Sequence, residues 1–344
     1  MKEKKMLNKV YFLFSKGIDK NSDESISKNI NKNICISLTS DRPFQIDERM
    51  VSLCKAYLPG VILSEKKQSS MKKSTFFIVH KEKSKDKISQ KGNTIFITGL
   101  WNQVITLDVY HLLYCILRIQ LLEKELFSVH AACIGKEKKY FLLMGHSGVG
   151  KTAITLALLQ KKFLFFSGNK TVLSFSNRLE AIAGTTAITV REQDIFRYDF
   201  IGKKSIAYAN RNILQMNEVN DRDYNQNDNL ENNSENVISK KNFFIKGIIL
   251  PHLNDGVTEC THLSEKSALH TLYPFFLDVV NADVIIGEDI FSGEVNENLK
   301  KKLVFHLRKI LKKIPVYEIS GSKEFILSKI SKMSKINKIE SGFI

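Results

Sequence analysis

No two of the five cysteines, Cys35, Cys54, Cys115, Cys133 and Cys260, stand as a CxxC pair. That absence removes a zinc ribbon and a dithiol redox motif. Odd in number, widely spread and mostly set among apolar neighbours, they read as reduced core thiols. Nothing approaches the continuous span of about 18 apolar residues that a membrane-crossing helix needs. The apolar run 10–14 behind Met1-Lys2-Glu3-Lys4-Lys5 is too short for a signal-peptide core and lacks a small-residue cleavage site. The expected location is therefore the cytoplasm, with no membrane partner. Internal repeats are absent, as is any aromatic-rich motif of the RNA-recognition type.

Apolar residues make up 43% of the 344 positions, including 22 Phe, enough to pack a sizeable core. The length suggests one large domain and a smaller one. Lys and Arg outnumber Asp and Glu by 52 to 36, a formal net charge of +16 that invites a nucleic-acid reading. Residues 300–344 hold twelve of the cations and only three acids, so this tail alone supplies +9. Its Lys pairs at 301–302 and 312–313 alternate with Leu303, Val304, Phe305, Leu307, Ile310 and Leu311 at amphipathic-helix spacing. A solvated helix face explains that charge more simply than an anion-binding surface.

Along the chain, residues 1–103 read as a small α+β module, with β-like runs at 34–38, 75–79 and 94–98 separated by Lys- and Ser-rich turns. Residues 104–344 form the second domain. It is led by a buried helix over 104–127, where Ile105, Val109, Leu112, Leu113, Ile116, Leu117 and Leu121 recur at helical spacing. Eight Asn and six acids fall within 217–236, so 217–241 reads as a disordered insertion that cannot pack a core. An apolar β-run over 243–250 follows it.

Between 129 and 166 the order is strand, polar turn, strand, glycine loop, helix, strand. The loop is Gly145-His146-Ser147-Gly148-Val149-Gly150-Lys151-Thr152, a Gly-x-x-x-x-Gly-Lys-Thr phosphate cradle. Glycines are needed because successive backbone N–H groups must converge on phosphate oxygens, which side chains would obstruct. A helix N-terminus then adds its partial positive charge. Lys151 should reach the β- and γ-phosphates, and the Thr152 hydroxyl should coordinate Mg²⁺. The implied ligands are ATP and Mg²⁺.

The stretch Ser128-Val129-His130-Ala131-Ala132-Cys133, followed by Phe141-Leu142-Leu143-Met144 and the loop, resembles the HPr serine kinase/phosphorylase superfamily. The likeness is specific over about residues 126–175, and the closing Val316-Tyr317-Glu318-Ile319-Ser320-Gly321-Ser322 with its Ile-rich helix also suits that family. It implies an α/β fold of HPr-kinase-like type, related to phosphoenolpyruvate carboxykinase: a mixed sheet with flanking helices, beside the N-terminal module. It also implies a kinase that phosphorylates a hydroxyl. Such kinases place an Asp-Asp pair seventeen and eighteen residues after the loop lysine, and here those positions are Gly168 and Asn169. A neutral amide is a poor base. Phosphoryl transfer nonetheless has a loose transition state, in which positioning and charge neutralisation carry most of the catalysis.

Three readings follow for the chemistry. Asn169 with Lys170 orients the acceptor, His130, aligned with the family's active-site His, takes the proton, or ATP is bound without transfer. The acceptor would be a small molecule or a peptide. HPr itself is not favoured, and homo-oligomerisation is left open. The alternatives to a kinase are a non-catalytic ATP-binding sensor or accessory protein and, third, a nucleic-acid-associated ATPase. One of Asp278, Asp283, Glu288 and Asp289 is a further candidate for Mg²⁺, although solvated turn acids explain them more simply. His252, His262 and His270 lack firm zinc spacing.

Overall fold

Alternating apolar residues set the N-terminal sheet. In the computed structural model, which describes residues 7–14, 34–44, 46–65, 76–82, 87–99, 107–136, 139–191, 205–208, 211–215, 243–277 and 297–335, the fold is mixed α/β. Six helices and mixed sheets are found among these residues. The expected insertion at 217–241 and the acids Asp278, Asp283, Glu288 and Asp289 lie outside them. Backbone packing gives two compact units, one from residues 1–127 and 278–302, the other from 128–277 and 303–344.

The first unit contains β1 (Leu7–Phe14), β2 (Ile34–Phe44), α1 (Glu48–Tyr57), β3 (Val61–Ser64), β4 (Phe76–Glu82), β5 (Lys87–Lys91), β6 (Thr94–Gly99) and α2 (Leu107–Glu123). Its six strands run in the order β3-β1-β2-β4-β6-β5. Register aligns Val10, Leu38, Ile78 and Ile95 across four neighbouring strands, all buried. Helix α1 was not foreseen; Asp47 caps it, accepting from the Met50 N–H at 2.7 Å. Helix α2 matches the helix expected over 104–127, but it goes with this unit. It packs on α1, and the Tyr110 hydroxyl donates to the Met50 carbonyl at 3.1 Å.

The second unit is built around β7 (Leu126–Val129), β8 (Ala131–Lys136), β9 (Lys139–Met144), α3 (Lys151–Gln160), β10 (Leu164–Ser167), β11 (Thr171–Phe175), β12 (Leu179–Gly184), β13 (Ala187–Arg191), β14 (Ser205–Tyr208), β15 (Arg211–Gln215) and β16 (Phe243–Leu253). The chain continues through β17 (Glu259–His262), α4 (Glu265–Leu277), α5 (Glu297–Leu311), β18 (Val316–Gly321) and α6 (Lys323–Lys335). Nine strands form one sheet in the order β10-β8-β9-β16-β12-β11-β7, with β18 added to β16 and β17 to β18. A three-stranded antiparallel sheet, β13-β15-β14, stands apart.

Strand β16 is parallel to both β9 and β18. Parallel strands covered on both faces read as nearly unbroken apolar runs, which explains Phe141-Leu142-Leu143-Met144 and Ile248-Ile249-Leu250, all buried. One face carries Phe141, Leu143, Ile249 and Ile319 into a core with Ile154 and Leu158 of α3 and Ile326, Leu327 and Ile330 of α6. Elsewhere on α3, Leu156 packs on Ile188 and Val190 of β13. That two-sided burial is why α3 is apolar nearly all round.

Helix α3 closes in a Schellman turn. The Phe163 N–H reaches the Leu158 carbonyl (3.1 Å) and the Lys162 N–H the Leu159 carbonyl (2.9 Å), with Lys162 left-handed at φ 61°. A side chain in that conformation costs about 1 kcal/mol. Lys162→Gly should therefore raise stability by about 1 kcal/mol in chemical denaturation; a lower midpoint would contradict this.

Helix α5 is amphipathic as its spacing predicts, with Leu303, Leu307, Ile310 and Leu311 buried. Phe305 departs from the expected stripe: it is 55% exposed, with the Lys309 ammonium 4.2 Å from its ring. Among the described residues no helix is long and apolar enough to cross a membrane. None of the five cysteines is in a disulfide, and burial pushes the pKa of the Cys54 thiol up to about 12.

Candidate functional site

Strand β9 ends at Met144, and the chain then turns through three glycines of positive φ: Gly145 (142°), Gly148 (91°) and Gly150 (95°). L side chains rarely adopt such values, so this path selects glycine. At Gly150 a Cβ would also lie 2.3 Å from Leu253 Cδ1, so a side chain there would have to displace that leucine. Gly150 is the N-cap of α3 and supplies no side-chain acceptor. The first turn of the helix thus faces the loop with its backbone donors and dipole.

The Lys151 ammonium folds back over this loop and donates to the Gly145 carbonyl (2.6 Å) and the His146 carbonyl (2.8 Å). Burial lowers its pKa to about 8. Thr152 follows half-buried in the first turn, and the Thr155 hydroxyl donates to the Lys151 carbonyl at 2.8 Å, tying that turn together. His146, Ser147 and Gly148 are exposed. The His146 ring leans on Phe275 of α4, with ring centroids 4.8 Å apart.

Pro251 explains where the loop leaves the sheet. The β9–β16 ladder runs as far as Leu143 and Ile249. Two residues on, the strand offers Pro251, whose missing N–H falls on the β9 side. The ladder resumes when the Leu253 N–H reaches the Val149 carbonyl at 3.3 Å, while Asn254 donates to Gly321 on the other side at 3.0 Å. Proline is thus placed where β16 has no strand partner to serve.

Register gathers the other sequence candidates at the same end of the sheet. Ala131, next to His130, pairs with Met144, next to Gly145. The Thr171 hydroxyl, next to Lys170, donates to the Ala131 carbonyl at 2.9 Å. Between β10 and β11 the turn Gly168-Asn169-Lys170 wraps Thr185: the Asn169 and Lys170 N–H groups both donate to its hydroxyl, at 3.0 and 3.1 Å. The Thr185 N–H returns to the Lys170 carbonyl at 3.0 Å. Lys170 is only 4% exposed. A Cβ at Gly168 would lie 2.7 Å from the Ala187 carbonyl oxygen, so this position accepts glycine alone.

Sequence reasoning did not single out Thr185, Leu253, Pro251, Phe275 or Glu318. Of these only Pro251, ending an apolar run, carried a local signal. His252 bonds Glu318 at 3.1 Å, whereas the His262 ring leans at a tilt against Tyr317, and His270 is exposed. Among the described residues no group of three or more His, Cys, Asp or Glu is placed to hold a metal ion. No protein-family model matches the chain, and a search of curated proteins finds no match either.

Proposed function

We propose that this protein binds MgATP at residues 145–152 and passes the γ-phosphoryl group to a hydroxyl of a small molecule or peptide, as an HPr-kinase-like enzyme. The observation that carries the reading is the loop itself: three left-handed glycines lead to an uncapped helix start, with a lysine amine drawn over the Gly145 and His146 carbonyls. A positive-φ glycine loop leading into a helix N-terminus is the kind of backbone that offers N–H donors to a polyphosphate. Lys151 would exchange two carbonyl acceptors for charged phosphate oxygens, a stronger pairing. Thr152, phosphate oxygens and water suffice for Mg²⁺, which keeps much of its water shell. His130 and the 168–170 turn flank the loop on the β8–β10 side, where Asn169 and Lys170 would orient the acceptor and offset developing charge.

The lowered Lys151 pKa, about 8 against an ordinary 10.5, gives the reading a pH signature. Bound phosphates favour the ammonium, so binding near pH 8 to 9 should take up a proton. Affinity for MgATP should be full below pH 8 and fall as pH rises above it, the direction opposite to that for a carboxylate. Calorimetry in buffers of different ionisation heat measures that uptake; affinity unchanged up to pH 10 would refute it. Transfer itself is tested with γ-labelled ATP and a cell-extract metabolite pool, where labelled acceptor should appear.

A second reading, an ATP-binding sensor, is favoured by the 168–169 positions. Gly168 has no room for a carboxylate, and Asn169 offers only an amide. Tight MgATP binding with neither transfer nor hydrolysis would select it.

A further inference from the structure

A histidine–carboxylate pair stands on the other flank of the phosphate loop. His252 precedes Leu253, whose N–H bonds Val149 and whose side chain closes on Gly150. Strand alternation turns His252 to the opposite sheet face from Leu253. There its Nε2 lies 3.1 Å from Glu318 Oε1 of β18. An ionised carboxylate only accepts, so Nε2 carries the hydrogen and Nδ1 keeps a lone pair. Ring and carboxylate are 42% and 44% exposed, so the pair is open to solvent.

We propose that His252, oriented by Glu318, takes the proton of the acceptor hydroxyl, a role for which His130 was one of the readings of the sequence. The inference rests on the phosphoryl-transfer reading. As the acceptor oxygen forms its bond to the γ-phosphorus, its proton passes to Nδ1. The bond from γ-phosphorus to the β-bridging oxygen breaks, and ADP leaves with that electron pair. The imidazolium so formed stands beside the Glu318 carboxylate, which stabilises it. Two sequence-distant residues thereby supply the base that Asn169 cannot.

The test uses the full chain, γ-labelled MgATP, and label transfer to extract acceptors or water, with calorimetric Kd in parallel. His252→Gln should lower the transfer rate about 100-fold or more with Kd for MgATP unchanged. Glu318→Gln, which still accepts from Nε2 but lacks charge, should give a smaller loss of rate, again at constant Kd. Added imidazole should restore turnover to His252→Ala, a rescue that a merely structural role would not give. If circular dichroism shows that His252→Gln fails to fold, the Glu318→Gln rate and Kd decide instead. Transfer by His252→Gln at the wild-type rate, with Lys151→Ala inactive, overturns this inference and leaves the kinase reading intact; so does a loss confined to His130→Gln. A wild-type protein that binds MgATP yet transfers no label to any acceptor or to water sinks both.

Discussion

Lys151→Ala should weaken MgATP binding by about 100-fold, because a hydrogen bond to a charged group contributes about 1.5–3 kcal/mol and this ammonium would serve two phosphates. The side chain is positioned for the exchange: it already spans the Gly145 and His146 carbonyls at 2.6 and 2.8 Å. Its removal leaves those carbonyls with one donor fewer but touches none of the packed face of α3, where Ile154 and Leu158 meet the sheet. The variant should therefore fold and keep a near-native thermal midpoint while losing affinity. Heat of association with MgATP that survives unchanged in the variant would remove the basis for calling this loop a nucleotide site.

Gly168→Asp and Asn169→Asp should behave in opposite ways, although each restores one acid of the pair seen in the kinases this segment resembles. At 168 the new Cβ would meet the Ala187 carbonyl oxygen and Ile188 Cγ1, each at 2.7 Å. The carbonyl belongs to strand β13, held by its pairing with β15, so it cannot step aside cheaply. Overpacking of this sort costs about 1–3 kcal/mol, and a carboxylate forced against a carbonyl adds to it. We expect Gly168→Asp to lower the melting temperature by about 5–10 °C. Asn169→Asp keeps shape and size at a half-buried position whose backbone N–H is already fixed by Thr185. If transfer occurs and His252 does not already supply the base, the added carboxylate should raise label transfer by about 100-fold, the lower range for a placed general base. An unchanged melting temperature for Gly168→Asp would contradict the packing argument, whereas no gain in rate from Asn169→Asp would leave the proton with another group such as His252.

Much of the candidate site could be read locally because its residues are neighbours in the chain. Gly145, Gly148, Gly150, Lys151 and Thr152 fall within eight residues, and each answers to a backbone or charge demand visible in that span. The strand–loop–helix order around them was equally legible, since β9 and α3 carry apolar runs of clear length. The tail's helix could be read too, yet Phe305 turned outward, because periodicity gives a stripe but not which flank of it finds a partner. Helix α1 escaped notice because Asp47, its cap, is one polar residue among many until the Met50 N–H is seen against it.

By itself the sequence determined that a glycine loop with a lysine follows a buried strand, and that no carboxylate occupies 168 or 169. Local chemistry suffices for both, since φ preference and side-chain type act within a few residues. Tertiary structure alone decided what stands around the loop. Residues far apart in the chain, Leu253 against Gly150 and Glu318 against His252, are brought together by parallel pairing of β9, β16 and β18. Parallel neighbours need long crossovers, so their register leaves no trace in the spacing of the chain.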